Sequence, residues 1–246
     1  MSPEGRSALS QSHITWQHAQ TEHFVYHFTD EKEAQTVYIH AEVYYQWVKE
    51  FFGVAEDPWK KKGHIFVFQD PKLWESFNSR VGSGIEGEAF TNGWELFIYR
   101  DPFWLAPKKT LAHEITHLIV FRFLEGPIPL CLNEGFAEFV SYRAISAQFG
   151  GNEYQVRTLQ LLKADQYLPL GTLMSMKSYP EGKVEIFYQE SELLVRFLIL
   201  NYGNKNFYSF LHSVSRGESI EKMIQKIYGM DVAALEEKFR EYAIAK

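Results

Sequence analysis

The chain has 246 residues, 46% hydrophobic and 16% aromatic, enough for one large domain or one domain with a helical appendage. Its 25 Lys and Arg against 31 Asp and Glu give a formal charge of −6 without a dominant block of like charges, which argues against nucleic acid as the partner. The single cysteine, Cys131, excludes an intrachain disulfide and a multi-thiolate metal site.

In chain order, residues 1–20 read as a loosely ordered leader, polar at the start and without the apolar stretch of a signal peptide. Thr21 to Phe28 alternates as a strand does, and Glu31 to Phe52 carries helical periodicity closed by Gly53. A polar turn over residues 56–62 leads into a strand from His64 to Phe68, and a short helix is expected from Pro71 to about Arg80. The glycine-rich segment Gly82 to Gly87 reads as a loop, followed by a strand from Glu95 to Tyr99.

After Asp101 the pattern becomes helical. Pro107 opens one helix that Gly126 closes, and Pro129 opens a second that ends at Gly150-Gly151. Further helices are expected over about 153–164, 183–202, 204–215, 218–228 and 231–245. The expected fold class is therefore α+β. A mixed part over 21–126 is followed by an all-helical part over 127–246, the two making one compact unit. No apolar run approaches the roughly 18 residues of a membrane span, so a soluble chain is expected, with compartment and oligomeric state open.

The chemistry concentrates near the junction. His113-Glu114-Ile115-Thr116-His117 lies within the 107–124 helix, where a spacing of four brings two imidazoles to one face, about 5–6 Å apart at Cβ. Glu114 points about a quarter turn away, where a carboxylate can take a proton from a zinc-activated water. Leu111, Ile115, Leu118, Ile119 and Phe121 are expected to surround this face with apolar bulk. The competing reading is two core histidines that happen to lie one turn apart.

A catalytic zinc needs a third protein ligand and one open position. The next helix, joined by the short 125–129 turn, offers Glu134 and Glu138 one turn apart among apolar neighbours. Buried carboxylates need partners, so one acid as ligand and the other bonded to a ligand imidazole accounts for both. Two solvated surface acids is the plainer alternative.

With these residues in place the sequence resembles the gluzincins, the thermolysin and aminopeptidase N group of zinc peptidases, and through them a zincin-like catalytic domain. Leu132-Asn133-Glu134-Gly135-Phe136-Ala137 looks like the aminopeptidase N ligand helix, which implies Glu134 as third ligand of one Zn2+ per chain and Glu138 behind it. Phe187-Tyr188-Gln189-Glu190-Ser191 is similar to the segment that carries that family's catalytic tyrosine, implying that Tyr188 donates to the oxyanion. Glu88-Ala89-Phe90-Thr91-Asn92-Gly93 looks like the thermolysin edge strand, implying that Glu88, Ala89 and Phe90 hold substrate backbone. The Gly-x-Met-Glu-Asn signature of aminopeptidases is missing, its nearest counterpart being Gly84-Ile85-Glu86-Gly87-Glu88.

The resemblance thus implies a peptidase acting on a peptide or protein substrate, with endopeptidase or oligopeptidase activity ahead of aminopeptidase activity. Two other classes stay open, a zinc-containing binding module without turnover and a zinc hydrolase of a non-peptide substrate. Among the remaining residues, His13, His18, His23 and His27 are not expected to share an ion, and His64 and His212 read as structural or solvated. Cys131 reads as a small buried hydrophobe, and Phe103 with Trp104 as a cap on the core.

Overall fold

The computed structural model describes residues 1–12, 14–53, 61–81, 89–99, 107–148 and 162–244. The expected loop at 82–87, the Phe103-Trp104 cap and most of the 153–164 helix lie outside them, as do His13 and Glu88. The fold is α+β, with a small mixed sheet towards the N-terminus and a largely helical remainder. The chain divides into two compact units, Met1–Val48 with Glu56–Arg122, and Lys49–Ala55 with Phe123–Lys246.

The first unit is built on a sheet of β1 (Gln17–Gln20), β2 (Phe24–Phe28), β3 (Gly63–Phe68), β4 (Ala89–Asn92) and β5 (Glu95–Tyr99) in the order β1-β2-β3-β5-β4. β3 lies at the centre, parallel to β2 and to β5, and both edges pair antiparallel. Composition follows position. The central strand Gly-His-Ile-Phe-Val-Phe is an almost unbroken apolar run, buried along nearly its whole length, as a strand covered on both faces must be. β1, Gln-His-Ala-Gln, is polar and largely exposed.

On one face the register aligns His18, His27, Phe66, Phe97 and Phe90 into a row crossing all five strands. Successive rings from His27 to Phe90 stack with centroids 4.3, 4.8 and 4.8 Å apart. Helices α1 (Pro3–Leu9) and α3 (Pro71–Val81) cover this face through Ala8, Trp74 and Phe77. The opposite face packs against α2 (Glu31–Phe52). Its buried Ala34, Val37, Ala41, Tyr44, Tyr45 and Val48 recur every three to four residues, and Tyr38 and Tyr45 contact Tyr26 and Phe24.

Two expectations at the N-terminus are corrected. Residues 3–9 form a helix where a loose leader is expected. The Ser2 hydroxyl caps it by accepting from the Gly5 N–H, and the Ser2 N–H and hydroxyl both donate to the buried carboxylate of Glu95. The strand expected over 21–28 covers only 24–28, and residues 17–20, expected in the leader, form a further strand. The Thr21 N–H returns to the Phe24 carbonyl and turns the chain, so that 17–20 pairs back on 24–28.

The second unit is helical: α5 (Leu130–Gln148), α6 (Leu170–Ser175), α7 (Val184–Tyr202), α8 (Asn204–Ser215), α9 (Ile220–Met223) continuing as a π-turn to Tyr228, and α10 (Val232–Ala243). Helix α7 buries Phe187 and all of 190–199 and packs along α5. Phe136 of α5 sits among Phe51, Phe52 and Phe207, its ring centroid 5.3 Å from that of Phe52. The described end of the expected 153–164 helix is not helical, because the Leu162 N–H goes to the Ala243 carbonyl in an isolated bridge. Cys131 is fully buried, and burial pushes its thiol up to about 12, so it is a packing residue.

Candidate metal centre

Helix α4 (Pro107–Phe123) carries the two histidines. Leu111, Ala112, Ile115, Leu118 and Ile119 are buried, whereas His113, Glu114 and His117 are only half-buried and share another face. The Nε2 atoms of His113 and His117 lie 3.0 Å apart. Phe121 does not join the apolar bulk around them. It is 53% exposed and lies beside Gly93, in the turn between β4 and β5.

Glu114 is held from the sheet. The Thr91 hydroxyl on β4 lies 2.6 Å from Glu114 Oε2 and 3.1 Å from the Glu114 carbonyl oxygen. β4 is one edge of the sheet, pairing with β5 on one side only among the described strands. Of the two described residues expected to hold substrate, Ala89 is half-buried on this edge, and Phe90 turns its ring into the aromatic core.

On α5, Glu134 is 5% exposed and Glu138 half-buried one turn further on. Gly135 explains how this stretch packs. A Cβ there would lie 2.2 Å from the Ser191 carbonyl oxygen and 3.0 Å from Val195 Cγ2, so only glycine lets α5 approach α7 this closely. That approach brings Glu134 and Glu138 near Tyr188. Burial holds the Tyr188 phenol well above its usual value, followed by the negative charge of Glu134, a hydrogen bond with Tyr179 and the charge of Glu138. The phenol therefore keeps its proton.

Tyr179, from the segment between α6 and α7, donates its hydroxyl to Glu134 Oε1 at 3.0 Å and stacks on Tyr188 with centroids 5.6 Å apart. Sequence reasoning missed both Tyr179 and Thr91. Thr91 lies inside the expected edge strand, next to the residues expected to hold substrate and on the alternate face from Phe90. Tyr179 carries no local signal.

One ligand atom each from His113, His117 and Glu134 lie within 4.8 Å of one another. Two imidazole nitrogens and one carboxylate oxygen form a donor set found at catalytic zinc. Nitrogens bound at about 2.0–2.1 Å on a tetrahedral ion sit roughly 3.3 Å apart, within a few tenths of the 3.0 Å between the two Nε2 atoms. The residues fit the metal.

Comparison with known proteins gives the same direction. The family model of the peptidase MA superfamily matches residues 81–245. Seventy-three chains of solved structures match the fold. One is a mutant M1 zinc metallopeptidase from Deinococcus radiodurans, solved with a Tyr-Ser-Ala substrate. It is similar at 16% identity with a TM-score of 0.50, over 94% of this chain and 52% of that one. The present chain thus spans about half that protein's length, and the likeness establishes the fold. No curated protein matches by sequence.

Proposed function

The chain belongs to the peptidase MA superfamily, and from that membership we propose that it hydrolyses peptide bonds at one zinc ion held by His113, His117 and Glu134. The observation that carries this reading is the convergence of those three donor atoms within 4.8 Å. Zinc in that donor set supplies Lewis acidity, polarising a scissile carbonyl and making water nucleophilic near neutral pH.

The side chains divide the remaining work. Glu114, next in sequence to a ligand and half-buried, accepts the proton of the attacking water and returns it to the leaving amine. Tyr188, protonated at neutral pH because it is buried and faces negative charge, donates a hydrogen bond to the oxyanion as it forms. Glu134 is the anionic ligand, and its bond from Tyr179 fixes the carboxylate plane. Glu138 adds negative charge nearby and is assigned to orienting a ligand imidazole.

The substrate is an extended peptide paired along the edge of β4, a grip that reads backbone rather than side chains. Such a strand passes through a cleft without needing a terminus, which favours endopeptidase or oligopeptidase activity over aminopeptidase activity. Among the described residues no helix is long and apolar enough to cross a membrane. The test is one peptide offered to the zinc-loaded chain with a free and with an acetylated N-terminus. Equal internal cleavage of both is expected. Release of single residues from the free form alone overturns the specificity, and the absence of hydrolysis of either overturns the activity.

A further inference from the structure

The position of Thr91 is dictated by the sheet. Gly93 takes a φ of +61° in the turn that joins β4 to β5, a conformation favouring glycine, and pairs Phe90 with Phe97 and Thr91 with Leu96. Phe90 is committed to the aromatic row, its ring stacked on Phe97. With a side-chain period of two, Thr91 must then stand on the opposite face, towards α4. Its branched Cβ restricts χ1, so the hydroxyl is held in place rather than free to turn.

That hydroxyl has one proton and two acceptors, both belonging to Glu114. The carboxylate oxygen lies at 2.6 Å and the carbonyl oxygen at 3.1 Å. An ionised carboxylate at the shorter distance is the stronger acceptor. Thr116, on the same helix, bonds instead to the Ala112 carbonyl one turn back, as helical threonines commonly do.

We propose that Thr91 is the positioning residue for the general base, an inference that rests on the catalytic role given to Glu114. By donating to Oε2 it fixes the carboxylate plane and leaves Oε1 as the oxygen that takes the proton of water. Thr91 also lies on the edge strand assigned to substrate, so pairing of a peptide along β4 bears directly on the residue that orients the base.

The experiment compares Thr91→Val, which keeps the shape and removes the hydroxyl, with Thr91→Ser, which keeps the hydroxyl, both in the zinc-loaded chain. Loss of a hydrogen bond to a charged group predicts a fall in kcat of about 10- to 100-fold for Thr91→Val, with KM and zinc stoichiometry unchanged. Thr91→Ser stays within about threefold of the parent protein on the same reasoning. An unchanged kcat in Thr91→Val, a loss confined to KM, or an equal loss in Thr91→Ser overturns the proposal. A second readout is independent of turnover: urea midpoints of metal-free Thr91→Val, Glu114→Ala and the double variant. A double-variant shift that differs from the sum of the single shifts shows the side chains are coupled, and additive shifts overturn the proposal. If the parent protein cleaves no peptide, the peptidase reading falls and the positioning of Glu114 is judged by this cycle alone.

Discussion

Replacing Gly135 by alanine tests how the ligand helix is seated. The new Cβ would lie 2.2 Å from the Ser191 carbonyl oxygen and 2.5 Å from its carbon, against an ordinary contact of about 3.4 Å. Both atoms are backbone of α7, so no rotamer change relieves the clash, and the helices must part by about 1 Å. Overpacking of this kind costs about 1–3 kcal/mol or more, and the better helix propensity of alanine returns about 1 kcal/mol. Packing therefore wins, with a net loss of about 1–2 kcal/mol and a fall in Tm of roughly 2–8 °C for a chain of this size. Gly171 in α6 provides the control, because nothing lies within 4 Å of a Cβ there, so Gly171→Ala should be neutral or slightly stabilising. Thermal unfolding of the metal-free proteins followed by circular dichroism reads both. A Gly135→Ala midpoint at or above that of the parent protein refutes the close approach of α5 to α7.

Three further outcomes are expected. Tyr179→Phe removes the hydroxyl that bonds Glu134, so zinc affinity measured by chelator competition should fall about tenfold, and an unchanged affinity would remove Tyr179 from the site. Glu134→Ala should abolish tight zinc binding while Glu138→Ala weakens it only about 10–100-fold; the reverse order would exchange their roles. Burial, with the neighbouring His64 and His18, pushes the His27 imidazole down to about 3 from 6.5. The unfolded chain therefore binds a proton that the folded chain rejects, and stability falls as pH drops below 6.5. The loss is up to about 2 kcal/mol between pH 7 and pH 5. Urea midpoints at the two pH values should show this dependence in the parent protein and a weaker one in His27→Gln; equal slopes would contradict it.

What the sequence reveals and what it hides follow from the range of the interactions concerned. α2, β5 and α8 carry their signals locally, in periodicity and in capping or turn residues, and the structure has them at the expected bounds. That the two histidines share a face with an acid of the next helix near them is legible from a spacing of four and a short turn, whereas the choice of Glu134 over Glu138 is implied only by the resemblance of 132–137 to a ligand helix. β1 is hidden because it is a polar edge strand, ordered by pairing with β2 rather than by an apolar alternation of its own. α1 is hidden because seven residues make no periodic pattern, and its order comes from Glu95, far away in sequence. The contacts among His18, His27 and His64 are invisible for the same reason. His27 Nδ1 lies 2.9 Å from His18 Nδ1 and its Nε2 lies 2.9 Å from His64 Nδ1, contacts that only strand pairing creates. Tyr179 reaches Glu134 across 45 residues, and nothing in Ser178-Tyr179-Pro180 announces it.

The central claim is a catalytic zinc served by Glu114, and one comparison tests it most directly. Wild-type chain and Glu114→Gln are loaded with zinc, their metal content is measured, and hydrolysis of the same peptide is followed. Both should hold one zinc per chain with similar affinity, while turnover by Glu114→Gln falls by about 10²–10⁴-fold because an amide cannot accept the proton. Equal turnover by the two proteins, or a wild-type chain that takes up no zinc, would contradict it.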